Sequence, residues 1–155
     1  MPPTFDVLNQ LALGLEYIHK SGLIHRDIKH ENVLIWVNPE NGQVLMKWAD
    51  FGLSKPVNDR GSCCMSGVRG TFDWLAPELL KLVDKGEVKE GEIEQRGTIK
   101  TDVFAEGLVF GCYLTDGLHP FGSRFQIAAN ILTNNPVNLP SKNIYQFFFN
   151  QIKIK

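Results

Sequence analysis

The sequence predicts an α+β domain that is mainly helical and carries one small β-hairpin. Three observations predict it. Val7, Leu8, Leu11, Leu15 and Ile18 recur at three- and four-residue spacing over residues 4–19, the apolar stripe of a packed helix. Two short β-branched runs, Val33–Val37 and Val44–Trp48, flank the turn former Pro39-Glu40-Asn41-Gly42. Two later apolar stretches, Asp102–Leu114 and Ile127–Leu132, have the content and length of helices.

In chain order, Gly22 follows Lys20 and Ser21 and stops the first helix. Leu23-Ile24 and Val33-Leu34-Ile35 then bracket a polar centre within LIHRDIKHENVLI, residues 23–35. After the second strand come Ala49-Asp50-Phe51-Gly52 and a polar stretch with Gly and Ser, reaching Thr71. Leu79–Val83 reads as helix. The run DKGEVKEGEIEQRGTIK, residues 84–100, is charged and glycine-interrupted, so a solvated mobile loop is expected there. Asp102 stands near the start of the next helix, which Asp116-Gly117 and His119-Pro120 end; Pro136 and Pro140 close the last one.

The 155 residues amount to one domain. A globular chain of this size buries about 68–70% of its unfolded surface. Sixteen basic and seventeen acidic residues leave a net charge of -1, which gives no reason to expect direct nucleic-acid binding. The start, MPPTFDVLNQ, lacks the basic and apolar regions of a secretory signal. No apolar run approaches the roughly 20 residues that span a bilayer, so no membrane segment is expected in this chain. Cys63, Cys64 and Cys112 form no CxxC pair and suit a reducing compartment.

The polar centre asks for a chemical reason, because His25-Arg26-Asp27-Ile28-Lys29-His30-Glu31-Asn32 is too charged to be buried unpaired. One answer is a surface loop; the other is a loop whose groups converge on a phosphate and a metal ion. Two further motifs follow in order, Asp50-Phe51-Gly52 and Ala76-Pro77-Glu78. Together the three resemble the protein-kinase signature HRD-x-K-x-x-N, DFG and APE. The fold so implied is protein-kinase-like: a mainly α-helical C-terminal lobe with a small β-hairpin and no N-terminal lobe.

Phosphoryl transfer asks a protein chiefly for positioning and charge neutralisation. By the resemblance, Asp27 orients the attacking hydroxyl and accepts its proton, and Lys29 steadies the transferring group and the nucleotide. Asn32 and Asp50 supply hard oxygen ligands for Mg²⁺ and the ATP it carries. Glu31 lies at the ribose side through its backbone. Arg26 pairs with a phosphorylated loop residue. His25 is a packed scaffold residue, and His19, His30 and His119 are likewise read as structural. Lys29 resembles the serine/threonine class, in which Thr71 faces the substrate. Ser62 and Ser66, in the activation segment, are either ordinary loop serines or sites of regulatory phosphorylation.

Thr101–Gly107 resembles the kinase helix whose aspartate, here Asp102, ties back to the HRD backbone. A narrower resemblance follows. Ser66-Gly67-Val68-Arg69-Gly70-Thr71, Gly117-Leu118-His119-Pro120-Phe121-Gly122 and Gln126–Leu132 are similar to the inositol-requiring kinase/endoribonuclease family of endoplasmic-reticulum stress sensors, and to ribonuclease L. This implies a serine/threonine kinase that uses ATP and Mg²⁺ on a protein substrate or on itself. It also implies a homodimer and a cytosol-facing site, in a parent protein anchored in the endoplasmic-reticulum membrane. Residues 1–140 are then a partial C-terminal lobe, with catalytic loop 25–32 and activation segment 50–78, and 141–155 an atypical tail.

The 24 residues before His25 hold no GxGxxG and no VAIK-like lysine, the parts that grip ATP phosphates in this family. The isolated chain is therefore expected to transfer no phosphoryl group. Two alternatives to an active kinase stand beside it: a nucleotide-binding dimerisation switch for an attached endoribonuclease, and an inert truncated fragment. Glu78 is expected to be a buried carboxylate without a partner. Phe147-Phe148-Phe149 is expected to be an exposed apolar patch unless it packs back on the chain.

Overall fold

A computed structural model of the chain describes residues 2–58, 61–65, 70–84 and 95–139. Helix α1 (Thr4–Lys20) buries the predicted stripe Val7, Leu8, Leu11, Leu15 and Ile18. Asp6 in its first turn and His19 and Lys20 in its last complement the helix dipole. Gly22 follows at φ +76, a left-handed turn that any Cβ would strain. The chain reverses there into the short strand β1 (Leu23–Ile24).

The predicted hairpin is present with the expected limits. Strands β2 (Val33–Val37) and β3 (Val44–Trp48) pair antiparallel, Val33 opposite Trp48 and Val37 opposite Val44. Helix α1 covers one edge of β3: the Gln10 side chain accepts from the Met46 N–H at 2.7 Å, and Trp48 Nε1 donates to the Leu11 carbonyl at 2.9 Å. These bonds satisfy groups that an open strand edge would leave unpaired. Strand β4 (Lys55–Pro56) returns to pair with β1, Leu23 opposite Pro56.

One expectation needs correcting. The charged run at 84–100 is not loop throughout: Gln95–Thr98 form strand β6, paired antiparallel with strand β5 (Ser62–Met65). Ile99 and Lys100 already belong to helix α3 (Ile99–Leu114). Local composition missed β6 because its partner lies more than thirty positions earlier in the chain. Residues 85–94 of the expected loop, Ser66 and the tail 141–155 with its Phe147–Phe149 run lie outside the described residues.

Helix α2 (Pro77–Asp84) buries Leu79 and Leu80. It leaves Glu78 exposed, so the expected buried unpaired carboxylate is also corrected. Helix α3 is apolar nearly all round and runs through the centre, burying Ala105, Leu108, Val109, Phe110 and Cys112. Gly111 lets it approach Pro120 closely, since a Cβ there would stand 2.3 Å from the proline ring. Helix α4 (Ile127–Leu132) packs against α2 through Ile127 and Ile131. The side chains of Leu15, Ile24, Ile28, Leu108 and Phe121 are fully buried and join α1, the loop after β1 and α3 into one core. Each such side chain contributes about 1.5–3 kcal/mol.

Candidate functional site

The polar loop after β1 is anchored from behind by one buried carboxylate. Asp102, in the first turn of α3 and 2% exposed, accepts the His25 N–H at 2.7 Å and the Arg26 N–H at 2.8 Å. His19, at the end of α1, adds a 2.9 Å bond from Nε2 to the same carboxylate. Arg26 is held at φ 72, a left-handed conformation unfavourable for a residue with a side chain. The two N–H bonds to Asp102 stabilise it there. His25 is fully buried, its Nε2 2.9 Å from the Ala49 carbonyl and its ring 4.9 Å from that of Phe51. It is a scaffold residue tying the polar loop to the segment after β3.

Asp27 stands where the loop emerges from this anchor. Its Oδ1 accepts from Thr71 through both Oγ1, at 2.9 Å, and the backbone N–H, at 3.1 Å. Lys29 Nζ lies 2.8 Å from Oδ2 and donates to Thr71 Oγ1 at 2.8 Å. Asn32 Nδ2 donates to the Asp27 carbonyl at 2.8 Å and to Oδ2 at 3.2 Å. Burial pushes the Asp27 carboxyl up, but bonds from Lys29, Thr71 and Asn32, with the Lys29 charge, outweigh it and hold the group below its ordinary value. It is therefore ionised at neutral pH. The adjoining cavity is small, about 20 Å³, with Arg26, Asp27, Gly70, Thr71 and Asp102 in its wall.

Asn32 and Asp50 flank the open end of the hairpin, opposite its turn. The Ala49 N–H donates to the Asn32 carbonyl at 2.9 Å, which continues the ladder and sets Asp50 one residue beyond it. With Asn32 Nδ2 committed to Asp27, its Oδ1 is the oxygen left to a ligand. Asp50 takes φ 62, which a short polar side chain tolerates, and accepts the Gly52 N–H at 3.2 Å. Amide and carboxylate oxygens of this kind are the hard ligands that Mg²⁺ takes. Among the described residues no group of three or more His, Cys, Asp or Glu side chains could hold a metal ion. A divalent ion here would rest on Asn32 and Asp50 with further oxygens from a ligand.

The remaining candidates are spread around this cluster. Glu31 is exposed and pairs with His30 at 3.4 Å; His30 is itself exposed, its ring 5.2 Å from Trp74, so it is no core histidine. The His119 ring also lies 5.4 Å from that of Trp74, edge-on to it. Ser62 is buried in β5 and donates to Asn58 Oδ1 at 3.0 Å, away from the Asp27 cluster. Gly70 was missed by the sequence reading. At φ +114 its backbone passes so close to the Arg26 carbonyl that a Cβ would lie 2.7 Å away, and this approach delivers Thr71 to Asp27. The His19 bond to Asp102 was missed as well; the spacing of His19 from the polar loop gave no sign of it.

Comparison with known proteins agrees with this geometry. Residues 4–148 match the protein kinase domain family. The chain is 36% identical to the sensor for unfolded proteins in the ER ire1 of Schizosaccharomyces pombe, over 84% of its own length and 13% of that protein's. It is 38% identical to the human serine/threonine-protein kinase/endoribonuclease IRE2, again over 84% of the chain and 13% of the relative. A light-sensor protein kinase of the moss Ceratodon purpureus is 38% identical over 70% of the chain and 9% of its own length. The chain thus spans about an eighth of the length of the first two of these relatives. With the family matched from α1 past α4 and Lys29, Asn32 and Thr71 bonded to Asp27, the chain belongs to the protein kinase domain family.

Proposed function

We propose that the chain carries the catalytic loop of a serine/threonine protein kinase that transfers the γ-phosphoryl group of ATP to a protein hydroxyl. The observation that carries this reading is the convergence of Lys29, Thr71 and Asn32 on the single carboxylate of Asp27. A buried carboxylate kept ionised by three donors can accept a hydrogen bond from an incoming hydroxyl, align its oxygen and take its proton as the new bond forms. Lys29 touches both Asp27 and Thr71, so its ammonium is placed to follow a phosphoryl oxygen once substrate displaces one of those bonds. Thr71 brings the activation segment onto the same carboxylate and would border the protein substrate.

Asn32 and Asp50 would hold Mg²⁺, which when bound neutralises phosphate charge and orients the nucleotide. Their positions at the hairpin's end mean that β2–β3 pairing sets the ligand spacing. Membership of the stress-sensor group, autophosphorylation, Glu31 at the ribose and regulatory roles for Arg26, Ser62 and Ser66 belong to the same proposal. It draws on two relatives whose names describe an unfolded-protein sensor and a kinase/endoribonuclease. No described helix is long and apolar enough to cross a membrane.

The test has two arms. Mn²⁺ added with ATP should broaden the NMR signals of Asn32 and Asp50 in the 155-residue chain, and Asp50→Asn should remove that effect. In a protein containing this chain, transfer of labelled γ-phosphate should fall by about 10³-fold or more with Asp27→Asn while nucleotide affinity is kept. Phosphoryl transfer unaffected by Asp27→Asn would sink the reading.

A further inference from the structure

Between α1, the hairpin and α3, bordered also by His30 and Val33, lies an open groove of about 440 Å³. Its walls are Val7 and Leu11 of α1, Ile35 and Met46 of the hairpin, and Val109 and Tyr113 of α3, with Asp116 at one rim. Strand β2 is apolar at all five positions, the pattern of a strand covered on both faces, yet Ile35 is 56% exposed. The groove is the unfinished part of the core.

We propose that the C-terminal segment Ile144–Ile154 of this same chain fills the groove, seating Tyr145 and Phe147–Phe149 against Ile35, Val7 and Tyr113. Three observations select this occupant. The first is tethering: Asn138, next to the last described residue, donates its backbone N–H to the Pro120 carbonyl and its Nδ2 to the His119 carbonyl. Pro120 is three residues past Gly117, which lines the groove, so about 11 Å at most separates those Cα atoms. From Asn138 to Phe147 an extended chain reaches about 30 Å, which covers that gap with slack.

The second is composition. The tail places Ile144, Tyr145, Phe147, Phe148 and Phe149 within six positions, and aromatic side chains carry the largest apolar area per residue. The third is charge. Residues 140–155 hold Lys142, Lys153 and Lys155 and no acidic side chain. The groove's surroundings are acidic: Asp116 lines it, and Glu31 lies close enough for its charge to act on Cys112. A tethered segment also competes at a high effective concentration against any second copy. The bound tail would brace β2 from behind, directly after Asn32.

Cys112 lines the groove and reports on its occupancy. Burial pushes its thiol up to about 11, so alkylation is slow and best compared between variants at one fixed pH above 8. In the full 155-residue chain, Phe147→Ser, Phe148→Ser and Phe149→Ser together should speed Cys112 alkylation about tenfold, with the buried Cys63 unchanged as the reference for folding. A synthetic 141–155 peptide should restore the slow rate. Unchanged Cys112 reactivity overturns the proposal, and so does shielding that rises with protein concentration, which would make a second copy the occupant. If Cys63 accelerates as well, contacts in the unaltered chain decide: nuclear Overhauser effects from the Phe147–Phe149 rings to the Val7 and Ile35 methyls support it, and their absence overturns it.

Discussion

The polar loop 25–32 and the segment 50–78 that carries Thr71 are held by opposite means. Residues 25–32 are fixed by side chains from distant elements: Asp102 reaches back from α3 to His25 and Arg26, and His19 closes the triangle from α1. The described part of segment 50–78 is held in its first half by short backbone pairings, two residues of β4 against β1 and four of β5 against β6. Buried polar networks of high sequence separation open only with the core, whereas short ladders can open locally. The polar loop is therefore the more rigid of the two, and the segment that carries Thr71 can be rearranged at smaller cost. The two meet at Asp27, Lys29 and Thr71.

The largest effect should come from Asp102→Asn, which keeps shape and volume. The amide replaces an acceptor with a donor facing the N–H groups of His25 and Arg26 and the ring of His19. A loss of about 3–5 kcal/mol in urea-unfolding free energy is expected. A loss below about 1 kcal/mol would mean that the loop is held by its own apolar anchors, and the contrast with the activation segment would collapse.

A second test probes the same helix through pH. Glu106, one turn after Asp102, is buried with an unpartnered Oε1, and burial followed by repulsion from Asp102 raises its carboxyl to about 8. The folded chain therefore binds a proton that the unfolded chain releases near 4.5. Stability from this group is full below that pH and drains as pH rises toward about 8, at no more than about 1.4 kcal/mol per pH unit. Glu106→Gln should flatten the slope of unfolding free energy between pH 5 and 8. An unaltered slope would place the titrating group elsewhere. Asp27 acts with the opposite sign, its lowered carboxyl lending stability above the ordinary aspartate range that is lost on acidification.

Much of this architecture was legible in the sequence, for reasons that differ between the two regions. Both hairpin strands were read at their limits and helix α1 to within one residue, because period and turn chemistry are local signals. Asp102 was visible through its resemblance to the helix aspartate of kinases, and the polar groups of Asp27 and Asn32 through the resemblance of residues 25–32 to the kinase HRD motif. Strand β6 was not legible, because only its pairing with β5 gives a charged, glycine-bearing run its structure. Gly70 was overlooked for a related reason: its role is set by the Arg26 carbonyl, a contact across 44 positions. Glu78 was misplaced as buried because partner-based reasoning said nothing of how far α2 turns it toward solvent.

Gly70→Ala tests the delivery of Thr71. A methyl group 2.7 Å from the Arg26 carbonyl at φ +114 must push the activation segment off the loop. The strain amounts to about 1–3 kcal/mol, enough to break the Thr71 bonds to Asp27 without unfolding the core. Carboxyl carbon NMR should then show the Asp27 titration moving upward, since burial is retained and donors are lost. Lys29→Met should move it in the same direction and farther, because both a hydrogen bond and a charge are removed. An Asp27 titration unmoved by either change would show that the two regions do not meet at that carboxylate.

The smallest effect should come from Ser54→Ala. Ser54 Oγ donates to the His25 carbonyl at 3.3 Å, a long, half-buried bond that links the start of the activation segment to the loop. Its removal leaves one carbonyl without this donor and is expected to lower stability by about 0.5–1 kcal/mol. Hydrogen exchange should quicken at the Lys55 and Val57 amides, next to the pairing with β1 and Gly22, and stay unchanged at His25 and Arg26. Faster exchange at His25 and Arg26 themselves would show that the loop leans on the segment, reversing the direction of support that the Asp102 contacts imply.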